Sequence, residues 1–274
     1  MDIDFDCTMC GKCCHNLRLP LTVAEAITWL KRGHHVQLFL EAIPWPEEPA
    51  DDNLVAAHKR RRSFPASSGS LPIRVVAVIV AAFDGPCPNL KEDMRCGVYE
   101  SRPLVCRIYP AEINPFIPLN PEQKGCPPEA WTQATTPLLR QGKIVDAQIA
   151  ALIAESRNTD AADVDAKAAL CEGLGIASVA LSNEGFVVYT PDASALLSAL
   201  ESAQAVIAPV RPQSWQFVSN RSATVDALRS VDAVASERSA WETESAEFLG
   251  FFPDEVIGNS SPTPKTSPSP ETRS

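Results

Sequence analysis

The densest chemistry in this sequence is Cys7-x2-Cys10-x2-Cys13-Cys14, which puts four thiols into one short segment. Two-residue gaps let successive thiolates converge on one centre while the backbone turns tightly around it, as metal-thiolate sites require. Gly11 supplies the backbone freedom for that turn. Cys13 and Cys14, being neighbours, project in different directions, so one serves a first centre and the other a second. Four more thiols, Cys87, Cys96, Cys106 and Cys126, are spaced too widely to form a site locally. A folded domain must bring them in, which couples metal binding to folding. Eight thiolates suggest two four-ligand sites.

Thiolate ligands suit zinc and iron-sulfur clusters alike, so residue type leaves the cofactor open. Structural zinc modules usually present two Cys-x2-Cys knuckles, and only the first group here is that tight. A Cys-x2-Cys-x2-Cys run completed by a distant Cys-Pro is the pattern of bacterial-type clusters, and both Cys87-Pro88 and Cys126-Pro127 are available. Metal-free redox thiols are the competing reading, and they would need an exposed thiolate of low pKa. Four thiolates around one zinc leave a local charge of about -2, for which Arg95, Arg102 and Arg107 stand beside the ligands, unless they form ordinary surface pairs. Tyr99 and Tyr109 flank Cys96 and Cys106, where they shield the centre from water or simply pack. His15 follows Cys14 directly, but with enough thiols present it is expected to be exposed or hydrogen-bonded. His34 and His35 are expected to be solvated. Full thiolate coordination leaves no open position, favouring a structural, electron-transfer or sensing role over metal-assisted hydrolysis.

The chain that must position these thiols has 274 residues, of which 45% are hydrophobic, enough for a sizeable core. The acidic start MDIDFDCTMC lacks the basic, apolar pattern of a secretory signal, and the most apolar run, Val75 to Phe83, is too short to cross a bilayer. A cytoplasmic protein without membrane contact is expected. In that compartment thiols stay reduced, which argues against a disulfide scaffold. The net charge of -10 speaks against nucleic acid as a partner. The exception is the run His58-Lys59-Arg60-Arg61-Arg62, read as a solvated face or loop that could meet an acidic protein partner.

Eight of the nine cysteines lie between Cys7 and Cys126, so a cysteine-cluster metal-binding domain is expected over 1–130, an α+β region over 131–258 and a disordered tail over 259–274. Cys171 falls outside the cluster and is read as a buried small hydrophobe. Thr22-Val23-Ala24-Glu25 has capping-box spacing and opens a helix whose face is Val23, Ile27 and Leu30, with Gly33 as its stop. Residues 44–72, rich in Pro, Ser and Gly, read as connector. Ile73 to Ala82 reads as a buried strand that delivers Cys87. Later, 144–157 and 161–171 suit helices, and 176–181 and 186–190 suit a hairpin around Asn183-Glu184-Gly185. Asp192 caps a helix ending at Pro209, Val225, Leu228 and Val231 mark a further helical face, and Ser239 to Glu242 has capping-box spacing. The fold class is therefore α+β, a loop-rich cysteine module on a small sheet followed by helices and a β-hairpin.

Taken together, FDCTMCGKCC at 5–14, GPCPNL at 85–90 and CGVYESRPLVCRIYP at 96–110 resemble, in order, the three signature elements of the YkgJ-type cysteine-cluster proteins, zinc- or iron-chelating domains. The resemblance covers about the first 130 residues. It implies chelating roles for Cys7, Cys10, Cys13, Cys14, Cys87, Cys96 and Cys106, with Cys126 the eighth by count. The same family is similar to flagellin N-methylase, which implies a protein-lysine methyltransferase as the alternative function. For that alternative the sequence offers only Gly173-Leu174-Gly175, a fragment of a nucleotide-type glycine loop.

Overall fold

The computed structural model describes residues 2–205, 214–241 and 245–253. The expected tail from Asn259, the helix stop at Pro209 and the capping box ending at Glu242 lie outside the described residues. In chain order the elements are β1 (Ile3–Asp4), β2 (His15–Leu21), α1 (Val23–Lys31), β3 (Gln37–Pro44), α2 (Leu54–Arg61), β4 (Phe64–Ser68), β5 (Leu71–Pro86), α3 (Leu104–Ile108) and α4 (Glu129–Thr132). There follow β6 (Pro137–Arg140), β7 (Lys143–Ile144), α5 (Ala147–Ala162), α6 (Val164–Gly173), β8 (Ser178–Leu181), β9 (Gly185–Tyr189), α7 (Ala193–Ala205), β10 (Gln216–Ser219), α8 (Ser222–Ser230), β11 (Ala235–Glu237) and β12 (Ala246–Gly250). The class is α+β.

The sheet is larger than the small one expected, because strands from both halves of the chain join it. Its nine strands run β11-β10-β8-β3-β5-β2, with β4 added to β5, β9 to β3 and β12 to β9. Pairing continues across residue 130, where β3 lies parallel to β8 and antiparallel to β9. β5 is the spine: β3 takes one of its edges, while β4 and β2 take successive stretches of the other. Its residues Ile73, Val75, Ala77, Ile79 and Ala81 enter the main core, where they meet apolar side chains of α1, α6, α7 and α8. Val78, Val80 and Ala82 point the opposite way against Phe39 and Val188. Cover on both faces is why this strand reads as an unbroken apolar run.

Several local expectations hold. The capping box at α1 is complete: Glu25 N–H donates to Thr22 Oγ1 (3.1 Å) and Thr22 N–H to Glu25 Oε2 (2.9 Å). Asp192 Oδ1 caps α7 by accepting from Ser194 and Ala195 N–H. On α8, Val225 and Leu228 are buried, whereas Val231 has turned out to solvent. Two expectations are overturned. Residues 44–72 are not connector, because Asn53 caps α2 through Ala56 N–H (3.0 Å), and Phe64 and Leu71 anchor strands in the core. Pro65 fits there because its exposed position in β4 asks for no inward donor. β8 and β9 do not pair as a hairpin; both lie along β3, and β9 takes β12 as its antiparallel partner.

A separate three-stranded sheet, β1-β6-β7, holds the N-terminus. Its small core of Ile3, Leu119, Leu138 and Leu139 clamps the segment that leads into Cys7. Beside it, Leu104 and Ile108 of α3 pack on Leu152 and Ile153 of α5. Among the described residues no helix is long and apolar enough to cross a membrane.

Candidate metal centre

The first cysteine segment is a loop pinned at both ends. On the entry side Phe5 N–H donates to Thr136 O, Asp6 N–H to Ala130 O and Thr135 N–H to Asp6 Oδ2 (2.7 Å). On the exit side the chain enters β2. Between them the backbone doubles back, with Met9 and Gly11 at positive φ (52° and 69°) and Cys14 N–H donating to Gly11 O (2.9 Å). A Cβ at position 11 would come within 2.7 Å of Met94 O, so glycine is required by both φ and contact.

Strand register brings in the second group. β2 runs antiparallel to β5 with His15 opposite Pro86, so Cys14 and Cys87 emerge at the same end of the sheet. Leu90 N–H then donates to Cys87 O, Gly97 N–H to Asn89 O (2.7 Å), and Leu90 bridges Cys96. This tight loop returns Cys96 beside Cys87. Cys106 sits on α3, whose first N–H, from Leu104, donates to Glu25 Oε1 (2.7 Å). Cys126 is placed by Tyr109, whose hydroxyl accepts Gly125 N–H (2.8 Å) and donates toward the Cys126 sulfur.

All eight of these cysteines line one cavity of about 440 Å³. Every cysteine in the chain is free, and Cys171 is buried in the main core on α6, where its thiol is pushed up to about 12 by burial. Arg95, Arg102 and Arg107 also line the cavity, with Tyr99 and Tyr109. Arg102 stacks on Tyr99 (3.6 Å to the ring centre) and donates Nε–H to Tyr99 O. His15 is not among the lining residues; its Nδ1 lies 3.2 Å from Gly11 O. His35 is exposed, while His34 is half-buried with its ring against Trp29. Met9, Met94 and Lys91, which spacing gave no reason to single out, complete part of the wall.

The thiols feel one another. Cys13 and Cys14 sulfurs are 4.0 Å apart, a hydrogen bond in which either can be the donor, and their interaction lowers Cys13 to about 7 and raises Cys14. Arg102 adds to the lowering at Cys13. Burial, then the charges of Cys87, Cys13 and Cys96, pushes Cys106 up to about 12. Cys126 is pushed up to about 11, mainly by burial; the Tyr109 hydroxyl counters this, and Cys13, Cys7 and Cys10 reinforce it. Cys87 is raised by burial and, among charges, by Cys96. The charges of Cys13, Cys7 and Cys10 act on Cys126 and those of Cys87, Cys13 and Cys96 on Cys106, so Cys13 acts on both. Among the described residues no three His, Cys, Asp or Glu side chains are already gathered as a ready metal cage. The donors surround one space without yet converging on one point.

The donor chemistry and its order in the chain agree with a known family. Residues 6–127 match the CxxCxxCC family model, described as "Putative zinc- or iron-chelating domain". No curated protein and no solved structure matches the chain. The match ends just past Cys126, so it spans all eight cavity cysteines and excludes Cys171. The methyltransferase alternative gains no support. Gly173-Leu174-Gly175 closes α6, whereas a phosphate-cradling glycine loop opens a helix.

Proposed function

We propose that this protein binds metal through two neighbouring thiolate centres, Cys7, Cys10, Cys13 and Cys126 at one and Cys14, Cys87, Cys96 and Cys106 at the other. The observation that carries the reading is the single cavity that takes eight cysteines from five separate segments and leaves Cys171 outside. Eight sulfurs exceed the four that a tetrahedral ion or a single cubane cluster takes, so two centres account for the set. The 4.0 Å separation of the Cys13 and Cys14 sulfurs supports two adjacent centres. When bound, zinc would supply a structural cross-link, and an iron-sulfur cluster would add electron transfer or sensing.

The protein's own residues hold the donors, soften their charge and limit water. Arg102, with its head group braced on Tyr99, offsets negative charge at Cys13 and Cys106. Tyr109 orients Cys126 by donating to its sulfur. A reducing compartment such as the cytoplasm keeps such thiols available.

Anaerobic purification followed by metal analysis and an absorption spectrum tests the proposal. The expected result is about two zinc ions or two clusters per chain, with the broad thiolate-to-iron absorption only in the cluster case. Protein that folds fully with less than one equivalent of any metal would overturn it.

A further inference from the structure

A second cavity, of about 250 Å³, lies behind α3, and Val105 lines both it and the cysteine cavity. Its charge is unbalanced. Four permanent cations face it, Arg61, Arg62, Arg157 and Lys167, against two carboxylates, Glu25 and Asp160. Glu25 is already committed, since its two oxygens accept Leu104 and Thr22 N–H. Asp160 is shared between Lys167 Nζ (2.5 Å) and Arg62 Nε (3.2 Å). That leaves Arg61 and Arg157 with no carboxylate among the described residues. Arg61 reaches only Asn158 Oδ1 (3.3 Å), and Arg157 donates its Nε–H to Ile113 O (2.7 Å). His58 also lines this space, and its buried Nε2 has no hydrogen-bond partner among the described residues.

Gathering like charges around a cavity costs free energy unless an anion offsets them. Burial and then Arg61 lower Arg157, and burial followed by Arg62 and Arg157 lowers His58 against the pull of Asp160. Guanidinium groups with free terminal nitrogens suit the tetrahedral, doubly charged oxygens of phosphate, and an orphaned imidazole nitrogen adds a further polar contact. The volume is below that of ordinary drug-sized pockets, so the occupant must be compact.

We propose that this cavity is a binding site for a phosphate dianion, free or as the phosphoryl group of a small monoester, held by Arg61, Arg157 and His58. The site is distinct from the thiolate centres and does not depend on which metal they hold. The proposal gives His58 and Arg61 of the basic run a use at this cavity, although Arg61 is exposed.

Isothermal titration of the metal-loaded full chain with inorganic phosphate, at ionic strength fixed with chloride, tests this. Saturable binding is expected, weakened about tenfold or more in Arg61→Gln with Arg157→Gln, each removing a charge-assisted hydrogen bond. Arg60→Gln, which loses only the outward pair with Glu48, should bind as wild type. Glycerol phosphate titrated in parallel separates the sources: weaker binding than phosphate indicates a site closed around the free ion, tighter binding a monoester site. Should the double variant unfold, histidine NMR of the wild type decides, because phosphate must shift the His58 ring signals and leave exposed His35 alone. A flat titration, an unchanged double variant or an unmoved His58 overturns the proposal. Competition by a short DNA strand that weakens equally in Arg60→Gln would put the anion on the outer face of α2, and overturns it too.

Discussion

Cys87 N–H donates to Cys14 O at 2.8 Å, a backbone bond that ties the two cysteine groups together where β2 and β5 meet. The sheet register therefore brings Cys14 and Cys87 to the same end of the sheet, a closeness that their spacing along the chain does not reveal. The proposed division puts Cys14 with Cys87 at one centre and Cys13 with Cys7, Cys10 and Cys126 at the other. Substitutions should follow that division. Cys126→Ser is expected to lose about one metal equivalent and keep the other, and Cys96→Ser the same for the opposite centre. The double variant should lose both. Metal content per chain and chelator-release stoichiometry are the readouts; loss of both equivalents in either single variant would show one shared centre.

Gly11→Ala should be costly although it adds one methyl group to a partly open loop. The residue has φ of 69°, and the new Cβ would meet Met94 O at 2.7 Å. The left-handed backbone alone costs about 1–2 kcal/mol, and the backbone contact cannot be relieved by a side-chain rotation. A lower melting temperature with faster metal loss to a chelator is expected. A Gly97→Ala variant, whose Cβ approaches Asn89 O at the longer distance of 3.1 Å, should be milder.

The site was legible in the sequence because sulfur chemistry is scarce and its order along the chain is distinctive. The cavity collects all eight of the thiols that spacing singled out, and Cys171 is separated by burial on α6. Local grammar was equally legible where one side chain decides, as with Thr22 and Glu25 at α1. The second oxygen of Glu25, which caps α3 through Leu104, could not be read, because nothing near residue 25 specifies a partner 79 positions away. The segment 44–72 misled for a related reason. Its Pro and Ser residues signal turns locally, but Phe64 and Leu71 find partners only in a core built by distant helices. The split pairing of β3 with β8 and β9 is a tertiary fact of the same kind.

Asp163 ties the second half of the chain to the start of α1, since its Oδ2 accepts Val23 N–H (2.8 Å). Burial raises its pKa, and the bond from Val23 and the charge of Lys167 only partly counter this. A carboxyl whose pKa is higher in the fold than in the unfolded chain keeps its proton longer when folded. Stability therefore falls as pH rises from 3.8 through the folded value. Asp163→Asn retains the accepting oxygen and has no such charge, so its melting temperature should lack this component and match or exceed wild type at neutral pH. Asp163→Ala leaves Val23 N–H unpaired and should cost about 1–2 kcal/mol. If both variants fell equally, the bond to Val23 would not be what matters.

His58 gives the opposite slope. Its pKa lies below the ordinary 6.5, because burial disfavours the charged ring and Arg62 just after α2, Arg157 of α5 and Arg61 of α2 repel it, against the attraction of Asp160. Between the folded value and 6.5 the unfolded chain binds the additional proton, so stability rises with pH through that interval and is lost as the solution is acidified. His58→Gln, which cannot titrate, should flatten the melting-temperature profile between that folded value and 6.5 while leaving metal content unchanged. A bound phosphate would act on the same interval by favouring the charged ring. Adding phosphate to the wild type should therefore reduce the slope, and adding it to His58→Gln should not. A wild-type profile that is flat without phosphate would mean that His58 is not held neutral by its surroundings.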